Sequence, residues 1–236
     1  MTTSDTYVTS GLDAAEALAR DARAVSPATR AHAGRWLELS LKRLIDMVVA
    51  SVALVVLSPI LALVAFAIIL ADGRPVLFRQ PRAGLQGRSF SIAKFRTMRR
   101  GADAEREALR ELNEVTGSAA AFKLTSDPRV TSVGRFLRRT SLDELPQLWN
   151  VLRGDMSLVG PRPHPFDDVV RYEGWHFRRL TMKPGITGIW QISARRDADF
   201  DRWVALDLEY IDNWSILLDF KIAFQTIPAL VRAEGR

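Results

Sequence analysis

Cysteine is absent from the 236 residues of this sequence, and its absence removes two classes of site. Without cysteine the chain forms no disulfide and offers no thiolate to a metal, which fits the cytosolic side of a membrane. Histidine is scarce, and His164 and His176 lack the paired spacing of zinc ligands. Zinc-finger spacing, aromatic-basic RNA motifs and basic heptads are also missing. These absences argue against a zinc site and against a nucleic-acid partner.

A cleavable signal peptide is not evident either, because the sequence begins with polar and acidic residues. Residues 1–33 are rich in alanine, serine, threonine and charged side chains, and their few apolar positions are mostly alanine. Such a composition buries too little apolar surface to fold alone. We therefore expect residues 1–33 to form a mobile N-terminal extension, or a weak helix that orders on a partner.

Basic residues outnumber acidic ones by 33 to 27, which gives a formal net charge of +6. A basic balance favours nucleic acid, anionic lipid or phosphorylated substrates as partners. Here the basic residues flank a long apolar run, which disfavours nucleic acid. We therefore expect membrane phospholipid and phosphorylated substrates as partners.

That apolar run covers residues 47–71, is interrupted only by Ser51, Ser58 and Pro59, and is long enough to cross a bilayer. Residues 34–43 precede it as an amphipathic segment whose Trp36 stands among basic residues, as in membrane-interface helices. Proline removes a helix hydrogen bond, and Ser58 can satisfy part of the freed backbone. A helix broken at Ser58-Pro59 can therefore enter one leaflet and return.

Basic residues flank both ends of the run: Arg35, Lys42 and Arg43 before it, Arg74, Arg79 and Arg82 after it. The positive-inside rule then places both ends in the cytoplasm, which favours the re-entrant helix. The alternative is a straight single span with a proline kink.

Two adjacent carboxylates, Asp143 and Glu144, stand where a helix is predicted to begin. Either Ser141 caps this helix in a capping box with Glu144, or Pro146 delays the start and Asp143 is the cap. In both cases the positive end of the helix favours the ionised form of Asp143. An ionised aspartate can attack phosphorus or bind a divalent cation, whereas the plain alternative is that both acids only cap the helix.

Extended structure is predicted over residues 75–98, where a turn at 84–87 separates two strands of a short hairpin. Helices are expected at residues 102–115, 133–139, 167–179, 199–213 and 214–231. The last is interrupted by Asp219 and Lys221, which favours a helix lying on the membrane. The predicted fold class is α+β and mostly helical. It has an interface and re-entrant helix at 34–73 and a small cytosolic catalytic domain at 74–236 that carries the hairpin and membrane-surface helices.

The stretch from Thr140 to Pro163 resembles, nearly residue for residue, the bacterial polyprenyl-phosphate phosphoglycosyl transferases of the monotopic kind, the initiating sugar transferases of glycan assembly. The resemblance continues in shorter motifs: Lys94-Phe95-Arg96-Thr97-Met98, Thr125-Ser126-Asp127-Pro128-Arg129-Val130, Lys183-Pro184-Gly185-Ile186-Thr187-Gly188, Trp190-Gln191, Asp207-Leu208-Glu209-Tyr210-Ile211 and Leu218-Asp219-Phe220-Lys221. It covers roughly residues 41–230. One departure is Ala194, where the family often has a glycine that permits positive φ, so the loop at Arg195 can differ in shape.

The resemblance implies an enzyme of the inner membrane, monotopic and facing the cytoplasm. It implies transfer of a sugar 1-phosphate from a UDP-sugar to undecaprenyl phosphate, with release of UMP, through a covalent phosphosugar on Asp143. It assigns Glu144 to Mg²⁺, the cofactor. Contacts to phosphate or nucleotide are expected from Lys94, Arg96, Arg138, Pro161, Arg162, Pro163 and Arg195. Which sugar is transferred, in which pathway, and whether the chain forms a homo-oligomer stay open.

Two other classes of function remain as alternatives. One is a non-catalytic membrane-surface module of a glycan assembly complex. The joint presence of Asp143, Glu144 and Arg162 argues against it, because packing alone needs none of them. Lys94 and Arg96 have a plainer alternative of their own as solvated charges on a strand. The second class, a basic nucleic-acid binder, is disfavoured by the apolar run between the basic clusters.

Overall fold

The computed structural model describes residues 36–106, 108–116, 121–194 and 197–231, so the extension predicted for residues 1–33 and the side chain of Arg195 lie outside it. The helices of the described part are α1 Trp36–Asp72, α2 Ser132–Thr140, α3 Gln147–Arg153, α4 Phe166–Val169, α5 Ile189–Ser193, α6 Phe200–Asp212 and α7 Ile216–Val231. The strands are β1 Leu77–Ala83, β2 Ser89–Phe95, β3 Ser157–Val159 and β4 Gly185–Thr187. The predicted α+β, mostly helical fold class is confirmed.

The kink predicted at Ser58-Pro59 stays a prediction. Helix α1 runs from Trp36 to Asp72 as one helical element that contains Pro59, so the interface segment and the re-entrant segment belong to the same helix. The physical reason lies in one hydrogen bond. Proline at position 59 leaves the carbonyl of Val55 without its usual backbone donor. The hydroxyl of Ser58 donates to that same carbonyl at 2.7 Å. The side chain thus replaces the lost backbone bond, and the helix continues.

One face of α1 packs on the rest of the protein along almost the whole helix. Ala50 packs in a cluster with Ile92, Val151 and Met156, and Ile68 packs in a second cluster with Phe95. The opposite face carries exposed valine, leucine and phenylalanine side chains from Val48 to Leu70. By length and composition, α1 is the one helix of the described residues that could cross a membrane.

Both ends of α1 are tied to the same globular part. Near its beginning, the ammonium of buried Lys42 donates to the carbonyl of Val159 at 3.1 Å and to Asp219 at 2.5 Å. At its end, Arg96 donates to the carbonyls of Asp72 and Gly73 at 2.8 and 2.6 Å. These contacts keep the whole helix against the domain that follows it.

The predicted hairpin is confirmed, with β1 and β2 antiparallel and Phe78 opposite Lys94. Its turn contains Gln86 and Gly87, both at positive φ. Side chains alternate between two faces of a strand, so Phe78, Gln80 and Arg82 share one face. All three line one cleft, together with Lys94 from the opposite strand.

The helices predicted at 133–139, 199–213 and 214–231 are confirmed as α2, α6 and α7. The helix predicted at 102–115 is wrong. There the chain forms successive turns whose backbone N–H groups reach the carbonyl three residues back, as in Glu105 to Ala102. Its only described helical piece is the 3₁₀ turn Arg110–Leu112. Arg106 ties these turns to Asp168 at 2.6 Å, a tertiary contact that no periodicity indicates.

The single helix predicted at 167–179 is also wrong, because the segment is divided. Helix α4 ends at Val169, and a 3₁₀ helix runs over Gly174–Thr181. Glycine at the start of the second piece weakens a continuous helix. The two pieces instead wrap Tyr172 and Phe177 into the cluster built on Phe200 of α6.

Strands β3 and β4 form a parallel pair in which two backbones approach very closely. A Cβ atom on Gly160 would stand 2.4 Å from the carbonyl oxygen of Lys183, and one on Gly185 would stand 2.1 Å from the nitrogen of Gly160. Only glycine fits at either position. This contact fixes the start of the turn that carries Arg162.

Candidate active site

Asp143 and Glu144 lie in a 3₁₀ turn, Leu142–Glu144, between helices α2 and α3. Ser141 ends α2 in the left-handed conformation with φ of 56°, and Pro146 leads into α3. Ser141 makes no capping hydrogen bond to this turn. Both predicted caps are therefore wrong. The reason is that Glu144 turns to cationic side chains of other segments instead of to the backbone of its own turn.

Glu144 is held by two cations that come from distant parts of the chain. The ammonium of Lys94 donates to its Oε1 at 3.0 Å. The guanidinium of Arg162 donates to Oε1 at 2.5 Å and to Oε2 at 3.3 Å. Burial acts to raise the pKa of the Glu144 carboxyl, but the charges of Arg162 and Lys94 outweigh it and hold that pKa well below its usual range. Glu144 is therefore an anion at any working pH.

Asp143 is the opposite case, although it is the next residue towards the N-terminus. Its side chain lines the cleft, is 9% exposed, and accepts no hydrogen bond from the described residues. Burial first, and the charge of Glu144 second, raise the pKa of the Asp143 carboxyl to about 6, against the opposing charges of Lys94, Arg138 and Arg162. The expectation that a helix terminus favours ionised Asp143 is wrong, because α3 begins only at Gln147.

The cleft in front of these carboxylates has a volume of about 670 Å³. Cationic side chains dominate its lining, which includes Lys94, Arg96, Arg138 and Arg162 from the predicted site. Arg138 donates to the hydroxyl of Thr97 at 3.0 Å. No carboxylate of the described residues forms an ion pair with Arg138. A guanidinium in this state is ready to bind an anion in the cleft.

The other predicted contacts divide between the cleft and the framework. Pro163 lines the cleft, whereas Pro161 is buried and its carbonyl accepts from the backbone N–H of Gly185 at 2.9 Å. Arg96 lines the cleft too, but its terminal nitrogen is engaged by the carbonyls at the end of α1. The structure thus brings Asp143, Glu144, Lys94, Arg138 and Arg162 together.

Arg82 is a cleft residue that sequence reasoning missed. Its guanidinium donates to the carbonyl of Pro163 at 3.1 Å and to the side chain of Gln80 at 2.7 Å, both neutral partners. Burial, and next the charge of Arg162, lower the pKa of Arg82 to about 10. The alternation of side chains along a strand could have indicated Arg82, because it places this residue on the same face as Phe78 and Gln80.

A divalent cation fits this site only together with a substrate. Among the described residues no group of three or more carboxylate or imidazole side chains could enclose a metal. Mg²⁺, however, is commonly held by one or two carboxylates plus substrate phosphates. The pair Asp143 and Glu144 supplies that number, although Lys94 and Arg162 compete for the oxygens of Glu144. The donor set therefore suits a metal that arrives with a phosphorylated ligand.

Cations that converge on an acidic pair in an open cleft define a protein that handles phosphorylated ligands, here beside a helix of membrane length. The bacterial sugar transferase family matches residues 37–233, and the chain belongs to that family. This confirms the family indicated by the motifs.

Three relatives illustrate the family. The galactosyl transferase CpsE of Streptococcus agalactiae serotype III (strain NEM316) is 45% identical over 202 residues, which are 85% of this chain and 44% of CpsE. The exopolysaccharide production protein ExoY of Rhizobium meliloti (strain 1021) is 44% identical over 199 residues, 82% of this chain and 87% of ExoY. The UDP-glucose:undecaprenyl-phosphate glucose-1-phosphate transferase of Escherichia coli (strain K12) is 44% identical over 196 residues, 79% of this chain and 39% of that enzyme. The chain thus spans less than half the length of two of these relatives and most of ExoY.

Proposed function

We propose that this protein transfers a sugar 1-phosphate from a UDP-sugar to undecaprenyl phosphate and releases UMP. The observation that carries the proposal is the acidic pair: two cations hold one carboxylate, and its neighbour lines a cationic cleft without a hydrogen-bond donor among the described residues. A structural cap would need neither the cations nor the cleft. Membership of the bacterial sugar transferase family and the names of its relatives support the same reaction.

In the first step, a carboxylate oxygen of Asp143 attacks the phosphorus that bears the sugar. A new P–O bond forms, the P–O bond to UMP breaks, and UMP leaves with the electron pair of that bond. In the second step, a phosphate oxygen of undecaprenyl phosphate attacks the same phosphorus. The bond to Asp143 breaks, the carboxylate is regenerated, and undecaprenyl-diphosphate-sugar is the product. Neither step requires a proton transfer, because each nucleophile and each leaving group is an oxyanion.

The electrostatics of the cleft suit this route. Asp143 is mostly ionised at neutral pH, because its pKa of about 6 lies below 7. A carboxylate with a raised pKa is also more basic than an ordinary aspartate, which favours attack on phosphorus. Arg138, Arg162 and Arg82 line the cleft, where they would offset the negative charge that both reactants bring.

We assign the metal site to Glu144 together with substrate phosphates. When bound, Mg²⁺ would neutralise charge on the diphosphate. Before substrate and metal bind, Lys94 and Arg162 hold Glu144 beside the cleft. Their donation keeps this carboxylate anionic, so that it is ready as an oxygen ligand.

We also propose that α1 enters the cytoplasmic leaflet of the inner membrane and returns, with the catalytic domain in the cytoplasm. Lys42 at one end and Asp72 at the other both contact the globular part, and the face between them packs on it. A helix that crossed the membrane would carry one end some 30 Å away from that part. The exposed apolar face of α1 is then available to lipid.

The experiment that tests the reaction is UMP release from purified protein in detergent, supplied with undecaprenyl phosphate and a panel of UDP-sugars. Release with at least one sugar, dependent on Asp143, is the expected result. A panel without UMP release, from protein that melts cooperatively, would overturn the proposal in favour of a non-catalytic membrane module.

A further inference from the structure

Buried polar atoms without a partner are concentrated in the cleft. Seven side-chain nitrogens and oxygens of the described residues are buried and make no hydrogen bond to the protein. Five of them belong to cleft residues, namely Arg82, Arg96, Trp190, Gln191 and Trp203. A buried donor or acceptor without a hydrogen-bond partner destabilises the folded protein. Such atoms gathered along one cleft indicate groups that a ligand is meant to satisfy.

Three of these atoms form a separate group that carries no charge. They are Nε1 of Trp190, Nε1 of Trp203 and Oε1 of Gln191. The two indole rings stack with centroids 4.8 Å apart and planes 17° from parallel. Gln191 follows Trp190 directly in α5, and Trp203 belongs to α6. The group is thus assembled where these two helices pack together.

The three side chains are fixed in place before any ligand binds. Trp190 and Trp203 are only 8% and 5% exposed, and both belong to the aromatic cluster around Phe200. The amide nitrogen of Gln191 donates to the carbonyl of Ile186 at 3.0 Å, which leaves its oxygen as the acceptor. Three fixed side chains therefore line the cleft, and each carries one polar atom without a partner, two N–H donors and one carbonyl acceptor in all.

We propose that Trp190, Gln191 and Trp203 bind the uracil ring of the nucleotide substrate and read its polar edge. Uracil carries two carbonyl acceptors with one N–H donor between them, which is the complement of this set. Cytosine has an amino donor in place of one carbonyl and would leave an indole N–H unpaired, a mismatch that polar sites reject strongly. This inference rests on the proposed function, because it presumes a uridine nucleotide as donor.

The sugar part of the substrate fits this group less well. A sugar hydroxyl both donates and accepts, so it does not need a fixed set of two donors and one acceptor. A planar base does, because its edge carries donors and acceptors in fixed positions. The ammonium of Lys123, another residue that lines the cleft, lies 5.7 Å from the ring centre of Trp203. Base binding here would leave Arg82, Arg138 and Arg162 for the diphosphate.

The test is a calorimetric titration of the purified full chain in detergent with UMP and, separately, with CMP. These nucleotides carry neither sugar nor lipid, so they isolate recognition of the base. The variants are Trp203→Phe and Trp190→Phe, which keep an aromatic ring but remove the N–H, and Gln191→Leu, which removes the acceptor. Each is expected to weaken UMP binding about three- to tenfold, the effect of one hydrogen bond, and to narrow the preference for UMP over CMP.

Trp175→Phe is the matched control, because Trp175 is 40% exposed and does not line the cleft. Melting curves confirm that each variant is folded, and Gln191→Leu serves if the tryptophan variants fail to fold. Unchanged UMP affinity in the folded variants would overturn the inference and leave the indoles as core residues only. Unchanged UMP affinity with an altered preference among UDP-sugars would also overturn it, in favour of a sugar contact.

The two proposals fail in different ways. A wild-type protein that binds neither nucleotide and releases no UMP would overturn the proposed function and this inference with it. A wild-type protein that binds UMP and turns over, while its folded Trp190 and Trp203 variants bind UMP equally well, would overturn the uracil site alone.

Discussion

Replacing the two adjacent carboxylates should change stability in opposite directions. Asp143→Asn removes a buried charge that the fold does not pair, so the variant should be more stable than the wild type at pH 7.5. The pKa of Asp143 stands about two units above its usual value, which corresponds to about 3 kcal/mol at most. For a chain of this size, that is an increase of roughly 6–12 °C in the melting temperature.

Glu144→Gln should be less stable, because it leaves Lys94 and Arg162 without their anion. Charge-assisted hydrogen bonds of this kind contribute roughly 1.5–3 kcal/mol. These side chains are only partly buried, so we expect a loss of about 2 kcal/mol and a decrease of roughly 4–8 °C in the melting temperature. Both variants should lose turnover, which separates stability from activity.

The pH dependence gives each effect its own pattern. The pKa of Asp143 is raised in the folded state. Its contribution to the stability of the fold is therefore fully present below pH 4, where the carboxyl is protonated, and is lost as the pH rises through about 6. The advantage of Asp143→Asn should therefore shrink as the pH falls from 8 to 5. The pKa of Glu144 is lowered by its partners, so the penalty of Glu144→Gln should persist throughout that range.

Melting curves of the three proteins, purified in one detergent and recorded at pH 5, 6, 7, 7.5 and 8, measure these differences. Asn and Gln keep the shape of the side chains, so each variant controls for the other. A melting temperature of Asp143→Asn below that of the wild type at pH 7.5 would refute the first prediction. A melting temperature of Glu144→Gln equal to that of the wild type would refute the second.

Four further outcomes are expected. The rate of UMP release should fall as the pH drops through about 6, because protonated Asp143 is not a nucleophile; a rate that stays level down to pH 5 would contradict this. Without lipid acceptor, the wild type should release about one UMP per active site and gain the mass of a phosphosugar on Asp143, whereas release that strictly needs lipid would indicate direct displacement. EDTA should stop turnover and Mg²⁺ restore it, while full activity in EDTA would remove the metal from the mechanism. Single cysteines replacing Arg30 and Gln86 should both be protected from an impermeant thiol reagent in intact cells. Changing Ser58-Pro59 to Ala-Leu should expose the cysteine at position 30 in part of the population. Labelling of position 30 alone in the otherwise native chain would mean that α1 crosses the membrane.

Local pattern was sufficient for much of the fold. The apolar run at 47–71 predicts a long helix because a helix satisfies its own backbone. The glycine-bounded turn predicts the hairpin, and hydrophobic periodicity predicts α2, α6 and α7. The sequence also places Ser58 where its hydroxyl can replace the backbone hydrogen bond that Pro59 removes. Each of these depends on residues close together in the sequence.

Local pattern gave wrong helix predictions where contacts between distant parts of the chain determine the structure. Residues 102–115 have helical periodicity, yet Arg106 pairs with Asp168 and the segment forms turns. The helix expected at 167–179 divides because Tyr172 and Phe177 pack around Phe200. Propensity is a weak preference, and burial of aromatic surface outweighs it.

For the candidate site, the sequence by itself determined which residues were singled out, and the tertiary structure decided which of them come together and in what charge state. The motifs single out Asp143 and Glu144 as a pair, and nothing in their order indicates that their pKa values move apart. That difference arises because Lys94, fifty positions earlier, and Arg162, eighteen later, both reach Glu144 and neither hydrogen-bonds Asp143. Coulomb energies and desolvation depend on distances in space, so only the folded chain sets them.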